Sequence, residues 1–359
     1  MQIPQQDSLS TNRLSRVFNN TVATYKYYWF ISILNIHMRT GAMRISIWDV
    51  VISMVASAWY PIHYFRLSFG KSDSMYVAIQ AIREITNLPY DASKKLIEET
   101  LKSQLHRKEI RSVLKVFTLN VPFRFLRPWI DTSDDKEVVA RSHSFENGAL
   151  YSLYRDVKDD WIIELNPAWC DYLQEHYSIL LDFTYWNLTL FLQTRNPNVP
   201  NIPNKLIRPE SRKSLASQRK FWNTVIQASG PVKCIYTGQP LHVGEYDLDH
   251  FIPWSFVTHD LAWNLMPSNP SINSSKSDRI PDLEYYLPKL SKTHNEAIKI
   301  YCGLGKSESA LEDYVSLGYS VRELLEMPQG KFDELFRQTF TPMAQIAYNM
   351  GFEQWVNQV

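Results

Sequence analysis

Residues 234–281 of the chain read CIYTGQPLHVGEYDLDHFIPWSFVTHDLAWNLMPSNPSINSSKSDRIP and hold its densest group of polar side chains suited to catalysis. Two β-like runs, Val232 to Tyr236 and Glu245 to Phe251, are separated by turn-forming residues, so the sequence predicts a β-hairpin here. Asp249 and His250 lie near the end of the second run. The stretch therefore predicts a small strand-based site.

The residue types in this stretch match the needs of phosphodiester hydrolysis. That reaction requires a base to activate water and a divalent cation, held by ligands, to offset charge on the phosphate. Histidine suits general-base work near neutral pH, which favours His250. Asp249 and Asn273 supply hard oxygen ligands, and so few of them leave room for water and phosphate on Mg²⁺. Adjacent side chains on a strand point to opposite faces, so Asp249 and His250 can act on one phosphate only if the strand ends or bends there. Pro253, three residues later, favours such a bend.

Three downstream residues complete this constellation. The amide of Asn264 can bond the backbone of the intervening loop and thereby orient His250. Asn273 and Lys276 are three residues apart, which places them on one face of a helix that begins near Ser271. We therefore expect the Lys276 ammonium to lie beside a metal-bound phosphate.

In order and spacing, the Asp-His pair, the following Pro, an Asn-Leu-x-Pro run and an Asn-x-x-Lys run resemble the HNH, or ββα-metal, nuclease family. The resemblance covers about fifty residues. The chain as a whole is similar to stand-alone bacterial members of the family that have a helical N-terminal region. It implies a metal at Asp249 and Asn273, His250 as general base and Asn264 as the structural central asparagine. Lys276, from its expected place beside the phosphate, is assigned to the catalytic residues with His250 and Asn264. Mg²⁺ is the expected cation, with Mn²⁺ as a substitute.

Two positions depart from the family pattern. Asn273 stands where the last histidine of the family name is expected, a variant that the family tolerates. Many members carry two CxxC pairs that bind a structural zinc, whereas here only Cys234 stands in the hairpin and Tyr236 follows it. We therefore predict no structural zinc. Nearby, His259 and Asp260 are interpreted as the start or cap of a turn.

The rest of the chain is predicted to be mainly helical. Apolar residues recur at helical spacing from Thr24 to Arg39 and from Pro167 to Leu192. The run TRNPNVPNIPNK that follows contains three prolines and predicts a linker. The expected class is α+β, a mainly α-helical protein with an embedded ββα-metal nuclease module. The predicted divisions are a helical N-terminal domain at 1–192, a linker at 193–219, the nuclease module at 220–285 and a C-terminal helical region at 286–359.

The net charge of +1 means that any DNA affinity must come from local basic patches. One such patch follows the run TRNPNVPNIPNK and contains a single acid, Glu210. A solvated helix face and a phosphate-contacting surface are equally good interpretations of it. The second interpretation assigns DNA contacts to Arg208, Arg212, Lys213, Arg219 and Lys220.

The apolar runs are shorter than the roughly 18 residues that a membrane span needs, and no secretory signal is recognised, so a cytoplasmic protein without a membrane partner is expected. The leading hypothesis is a metal-dependent DNA endonuclease, with a role in anti-phage defence or restriction by analogy. One alternative is a nucleic-acid-binding or scaffold protein with an inactive HNH fold, and another is an RNA-cleaving nuclease. A partner protein or activator that docks on the N-terminal helices is compatible with the leading hypothesis.

Overall fold

A computed structural model describes residues 2–156, 160–209 and 211–356 of the chain. The fold is mainly helical with small antiparallel sheets, which confirms the predicted α+β class. The chain divides into two compact units, Met1–Pro197 with Ile202–Arg208, and Asn198–Asn201 with Pro209–Val359. The predicted domain limits stay a prediction.

The first unit is built around two long helices whose side chains are buried on nearly every face. Such helices lie in a core rather than on its surface. Its strands form one antiparallel sheet in the order β1-β3-β2, a sheet that the helical patterning did not predict. Its helices are α1 (Thr11–Leu14), α2 (Tyr25–Thr40), α3 (Ile47–His63), α4 (Ser74–Thr86), α5 (Lys94–Gln104), α6 (Lys108–Lys115), α7 (Val121–Arg124), α8 (Asp135–Ser142), α9 (Pro167–Glu175) and α10 (Tyr177–Gln193), and its strands β1 (Arg44–Ser46), β2 (Tyr151–Arg155) and β3 (Trp161–Leu165).

The proline-rich run after α10 is not uniformly extended. Ile202–Lys205 forms a 3₁₀ helix, with Ile202 and Lys205 buried. Burial lowers the pKa of Lys205 to about 7. The chain here therefore packs against the first unit over several residues of the predicted linker. Glu210, which follows it, lies outside the described residues.

The second unit combines four short strands with helices packed around one hydrophobic core. Phe251 and Phe340 meet edge to face at 5.3 Å, and Tyr236 and Trp355 at 5.1 Å, so the predicted nuclease segment and the C-terminal helices share this core. The elements are α11 (Ala216–Ser229), α12 (Trp254–Val257), α13 (Pro270–Lys276), α14 (Leu283–Gly303), α15 (Glu312–Val315), α16 (Val321–Glu326) and α17 (Gln329–Asn349), with strands β4 (Val232–Lys233), β5 (Pro240–Leu241), β6 (Asp247–His250) and β7 (Leu265–Ser268).

The strand pairing differs from the predicted hairpin. β4 pairs with β5, across a turn at Cys234–Gly238, while β6 pairs antiparallel with β7. The prediction that the two β-like runs pair with each other is therefore wrong. The turn after β4 is tight enough for β4 to form a hairpin with β5. The second run, which contains β6, therefore pairs with β7, which lies beyond the following loop.

None of the helices in the described ranges is both long and apolar enough to cross a bilayer.

Candidate active site

Asp249 and His250 end strand β6, where the antiparallel pairing with β7 also ends. Asp249 lies opposite Met266, and His250 lies opposite Leu265. Helix α13 follows β7 after one residue, with Asn269 accepting the backbone N–H of Ser271 at its N-terminus. Two paired strands followed by a short helix thus carry the Asp-His pair and the downstream Asn-x-x-Lys run.

The Asp249 carboxylate is almost fully buried and holds one protein donor on each oxygen. The Tyr236 hydroxyl donates to Oδ2 at 2.8 Å, and Lys276 Nζ donates to Oδ1 at 2.9 Å. Burial and the neighbouring carboxylate raise the pKa of Tyr236 well above its usual value. Tyr236 therefore remains a neutral donor, and Lys276 is the only cation of the described residues that forms an ion pair with Asp249.

The Lys276 side chain is entirely inaccessible to solvent. Besides Asp249, its Nζ donates to the backbone carbonyl of His250 at 2.7 Å. The ammonium therefore joins the two neighbouring residues at the end of β6. A position beside a metal-bound phosphate stays a prediction, and a carboxylate and a carbonyl take up two of the three N–H donors of the ammonium.

His250 is fixed by an acid that lies ten residues further along the chain. Its Nε2 lies 2.8 Å from Oδ1 of Asp260, and the two side chains are 11% and 18% exposed. An ionised carboxylate only accepts hydrogen bonds, so this contact favours the tautomer with the proton on Nε2. The lone pair then lies on Nδ1, which makes no hydrogen bond to the described residues.

The fully buried Asn264 clamps the loop after His250. Its Nδ2 donates to the Ile252 carbonyl at 2.9 Å, and its Oδ1 accepts the Ile252 N–H at 2.9 Å. Its own carbonyl accepts the N–H of Phe251. These contacts agree with the expectation that the amide ties the loop to the backbone, and they set the chain direction directly after His250.

Residues 234–282 match a family model described as HNH endonuclease. A stretch of 55 residues is 40% identical to the CRISPR-associated endonuclease Cas9 of Listeria innocua serovar 6a, which covers 14% of this chain and 4% of that protein. The chain contains an HNH endonuclease domain. No solved structure gives a significant match to the chain. The recognised resemblance is therefore confirmed for this domain.

HNH nucleases generally use a divalent metal, and the donor chemistry of this HNH domain fits one. Asp249 offers a carboxylate whose oxygens each keep a second lone pair beside their single hydrogen bond. Asn273 is half-buried on α13, and its amide makes no hydrogen bond within the described residues. Among those residues no three His, Cys, Asp or Glu side chains form a metal-binding group, so a cation here would keep several waters.

The basic residues assigned to DNA fall in both units. Arg208 belongs to the first unit, where it donates to the Asp91 carbonyl. The other four belong to the unit that holds the HNH domain: Arg212 lies over the Trp254 ring at 4.4 Å, and Arg219 donates to the Tyr246 carbonyl at 3.0 Å. Lys213 and Lys220 are exposed. DNA contacts stay a prediction for all five.

Two site residues were missed by sequence reasoning. Asp260 was interpreted as part of a turn, and Tyr236 was noted only because it is not a cysteine. Both reach the site through loops, so strand and helix periodicity gives no signal for them. The only available signal was chemical: an acid within ten residues of a candidate base can orient it.

Proposed function

We propose that this protein is a divalent-metal-dependent endonuclease that hydrolyses phosphodiester bonds in DNA, with His250 as the general base. The observation that carries the proposal is the contact between His250 Nε2 and Asp260, directly beside the buried carboxylate of Asp249. A base held in one tautomer by a carboxylate is the arrangement that general-base activation of water requires.

In the proposed reaction His250 accepts a proton on Nδ1 from the attacking water, while the water oxygen bonds to phosphorus and the ester oxygen leaves. Asp260 stabilises the imidazolium that results, because its carboxylate already contacts Nε2 at 2.8 Å. A cation held by Asp249 and Asn273 supplies Lewis-acid stabilisation of the phosphate charge when it is bound. Mg²⁺ is the proposed ion, with Mn²⁺ as a substitute.

Lys276 enters this proposal as a positioning residue. Its ammonium contacts the Asp249 carboxylate and the His250 carbonyl, so it sets the orientation of both neighbours. Asn264 has a related role, because it fixes the backbone at Ile252. The exposed Lys213 and Lys220 and the half-exposed Arg219 are proposed to bind the phosphate backbone.

A cleavage assay on supercoiled plasmid tests the proposal. The wild-type chain is compared with His250→Ala in Mg²⁺, in Mn²⁺ and in EDTA, and His242→Ala, an exposed histidine of the same domain, is the matched control. We expect metal-dependent nicking that falls by about 10²- to 10⁴-fold in His250→Ala and is unchanged in His242→Ala. Equal activity of wild type and His250→Ala would contradict the assignment.

One observation favours a second candidate, a nucleic-acid-binding protein with an inactive HNH fold. Asp249 is only 3% exposed, and both of its oxygens already hold protein donors. Binding of labelled DNA without cleavage in any metal supports this candidate. Cleavage of labelled RNA but not of DNA supports the RNA nuclease instead. A role in defence stays a prediction by analogy with the family. Docking of an activator on the N-terminal helices also stays a prediction.

A further inference from the structure

The first unit contains a cavity of about 870 Å³ with a strongly basic lining. Four cationic side chains line it, Arg16, Lys26, Arg124 and Arg127, against a single acid, Asp131. They come from separate parts of the chain: the segment after α1, the first turn of α2, and the end of α7 with the residues after it. The fold, rather than a local run of sequence, therefore brings this charge together.

These cations lack the carboxylate partners that other basic residues of the same unit have. Arg39, Arg111 and Arg141 each form a salt bridge with a glutamate or aspartate. None of the four cavity cations forms one within the described residues. Lys26 Nζ donates to two backbone carbonyls, at 3.0 and 3.2 Å, and the buried Nε of Arg127 has no hydrogen-bond partner in the part of the chain that the structure describes. The positive charge of these side chains is therefore not neutralised by a carboxylate of the described residues.

The cations are also close enough to act on one another. The pKa of Lys26 is lowered to about 8, chiefly by burial and then by the charges of Arg127 and Arg124. Lys26 lies in the first turn of the 16-residue helix α2, whose N-cap Thr24 already donates its backbone N–H to the Asp73 carboxylate at 2.6 Å, so the repulsion that concerns the cavity is that among the cations themselves. An anion in the cavity would relieve this repulsion and accept hydrogen bonds from the guanidinium groups that line it.

We propose that this cavity binds a small molecule of nucleotide size that carries two or more phosphate groups. Its volume lies within the roughly 300–1,000 Å³ of sites for small-molecule ligands. Phosphate oxygens accept several hydrogen bonds at once and pair with guanidinium groups in a bidentate manner. Lys26 and Arg127 are half-buried, which suits a ligand that enters a cavity better than a strand of nucleic acid passing along an exposed row of cations.

Isothermal titration calorimetry on the full-length chain tests this proposal. The probes are ATP and inorganic pyrophosphate, in EDTA so that no cation links the probe to the HNH domain. The variants are Arg124→Glu and Arg16→Glu, which reverse exposed cavity charges. The matched control is Lys95→Glu, which reverses an exposed charge of the same unit that does not line the cavity. Circular dichroism checks that each variant is folded.

We expect both probes to bind the wild type, ATP more tightly, and each cavity variant to bind at least about tenfold more weakly, while Lys95→Glu binds like the wild type. No binding of either probe to the wild type overturns the proposal. So does equal affinity in a folded cavity variant. If a single-stranded oligonucleotide binds more tightly than ATP with the same dependence on Arg124, the site belongs to nucleic acid and the small-molecule assignment is wrong.

Discussion

Lys276 Nζ lies 2.9 Å from Oδ1 of Asp249, and the two side chains are 0% and 3% exposed. A buried ion pair has little net effect when both partners are replaced, but loss of one partner leaves an uncompensated charge in the core. We therefore expect Lys276→Met to lower the free energy of unfolding by about 3–5 kcal/mol, measured by urea denaturation. Lys220→Met, at an exposed position, should change it by less than about 0.5 kcal/mol.

The double variant Asp249→Asn/Lys276→Met separates the ion pair from simple packing. Asp249→Asn removes the carboxylate that Lys276→Met leaves unpaired. The double variant should therefore lose about 1–3 kcal/mol less stability than the sum of the losses in the two single variants. Additive effects would show that the two groups do not interact in the folded protein.

The contact between His250 Nε2 and Asp260 predicts a loss of activity without a loss of fold. Asp260→Asn keeps the size of the side chain but lets an amide donate to Nε2, which moves the proton of the imidazole to Nδ1, the position that must accept a proton. Partners that orient a functional histidine typically change activity by about 10- to 100-fold when removed. We expect kcat for plasmid nicking to fall by at least that factor, with KM nearly unchanged.

Asp247→Asn is the matched control for this prediction, because it neutralises a half-buried acid three residues before His250 on the same strand. It should retain activity within about twofold of the wild type. If both variants lose activity equally, the general negative charge of the region matters and the specific contact to Asp260 does not.

The motif residues could be predicted from the sequence because each depends on local structure. Asp249 and His250 end a strand, and Asn273 and Lys276 share one short helix, so spacing alone placed them. The pairing of β6 with β7 could not be predicted in the same way, because it depends on a loop that Asn264 closes with its side chain.

In the first unit, the strand pairing could not be predicted because the paired segments are far apart in the sequence. Strand β1 pairs with β3 so that Arg44 lies opposite Glu164, and hydrophobic patterning carries no information about which of two distant segments will pair. The helices there were easier to predict, since each repeats apolar residues at its own period. The basic cavity was missed for the same reason as the sheet, because its charges come from three separate segments.

The histidine at position 294 predicts how the unfolding of the second unit depends on pH. His294 is fully buried, its Nδ1 contacts the Tyr314 hydroxyl at 2.6 Å, and its Nε2 has no hydrogen-bond partner among the residues described by the structure. Burial lowers the pKa of His294 from 6.5 to about 3. Below pH 6.5 the unfolded chain therefore binds a proton that the folded chain does not, so stability is present above pH 6.5 and is lost as the pH falls toward 3.

We expect this histidine to contribute up to about 1.4 kcal/mol of destabilisation per pH unit below 6.5. Urea denaturation at several pH values measures the contribution, with His294→Phe as the variant. Between pH 7, which lies above the window, and pH 5, which lies inside it, the variant should lose less stability than the wild type. The exposed His242→Phe should follow the wild-type curve. Parallel curves for wild type and His294→Phe would show that another group is responsible.

The half-buried amide of Asn273 predicts a metal effect that is separate from stability. This side chain makes no hydrogen bond within the described residues, so Asn273→Ala should leave the free energy of unfolding in EDTA unchanged within about 0.5 kcal/mol. If its oxygen is a metal ligand, the variant should need about tenfold or more Mg²⁺ for half-maximal nicking, and Mn²⁺ should stabilise it less against heat than it stabilises the wild type. Ser274→Ala, the next and exposed position of α13, is the control. An unchanged Mg²⁺ requirement in Asn273→Ala would contradict the assignment of Asn273 as a metal ligand.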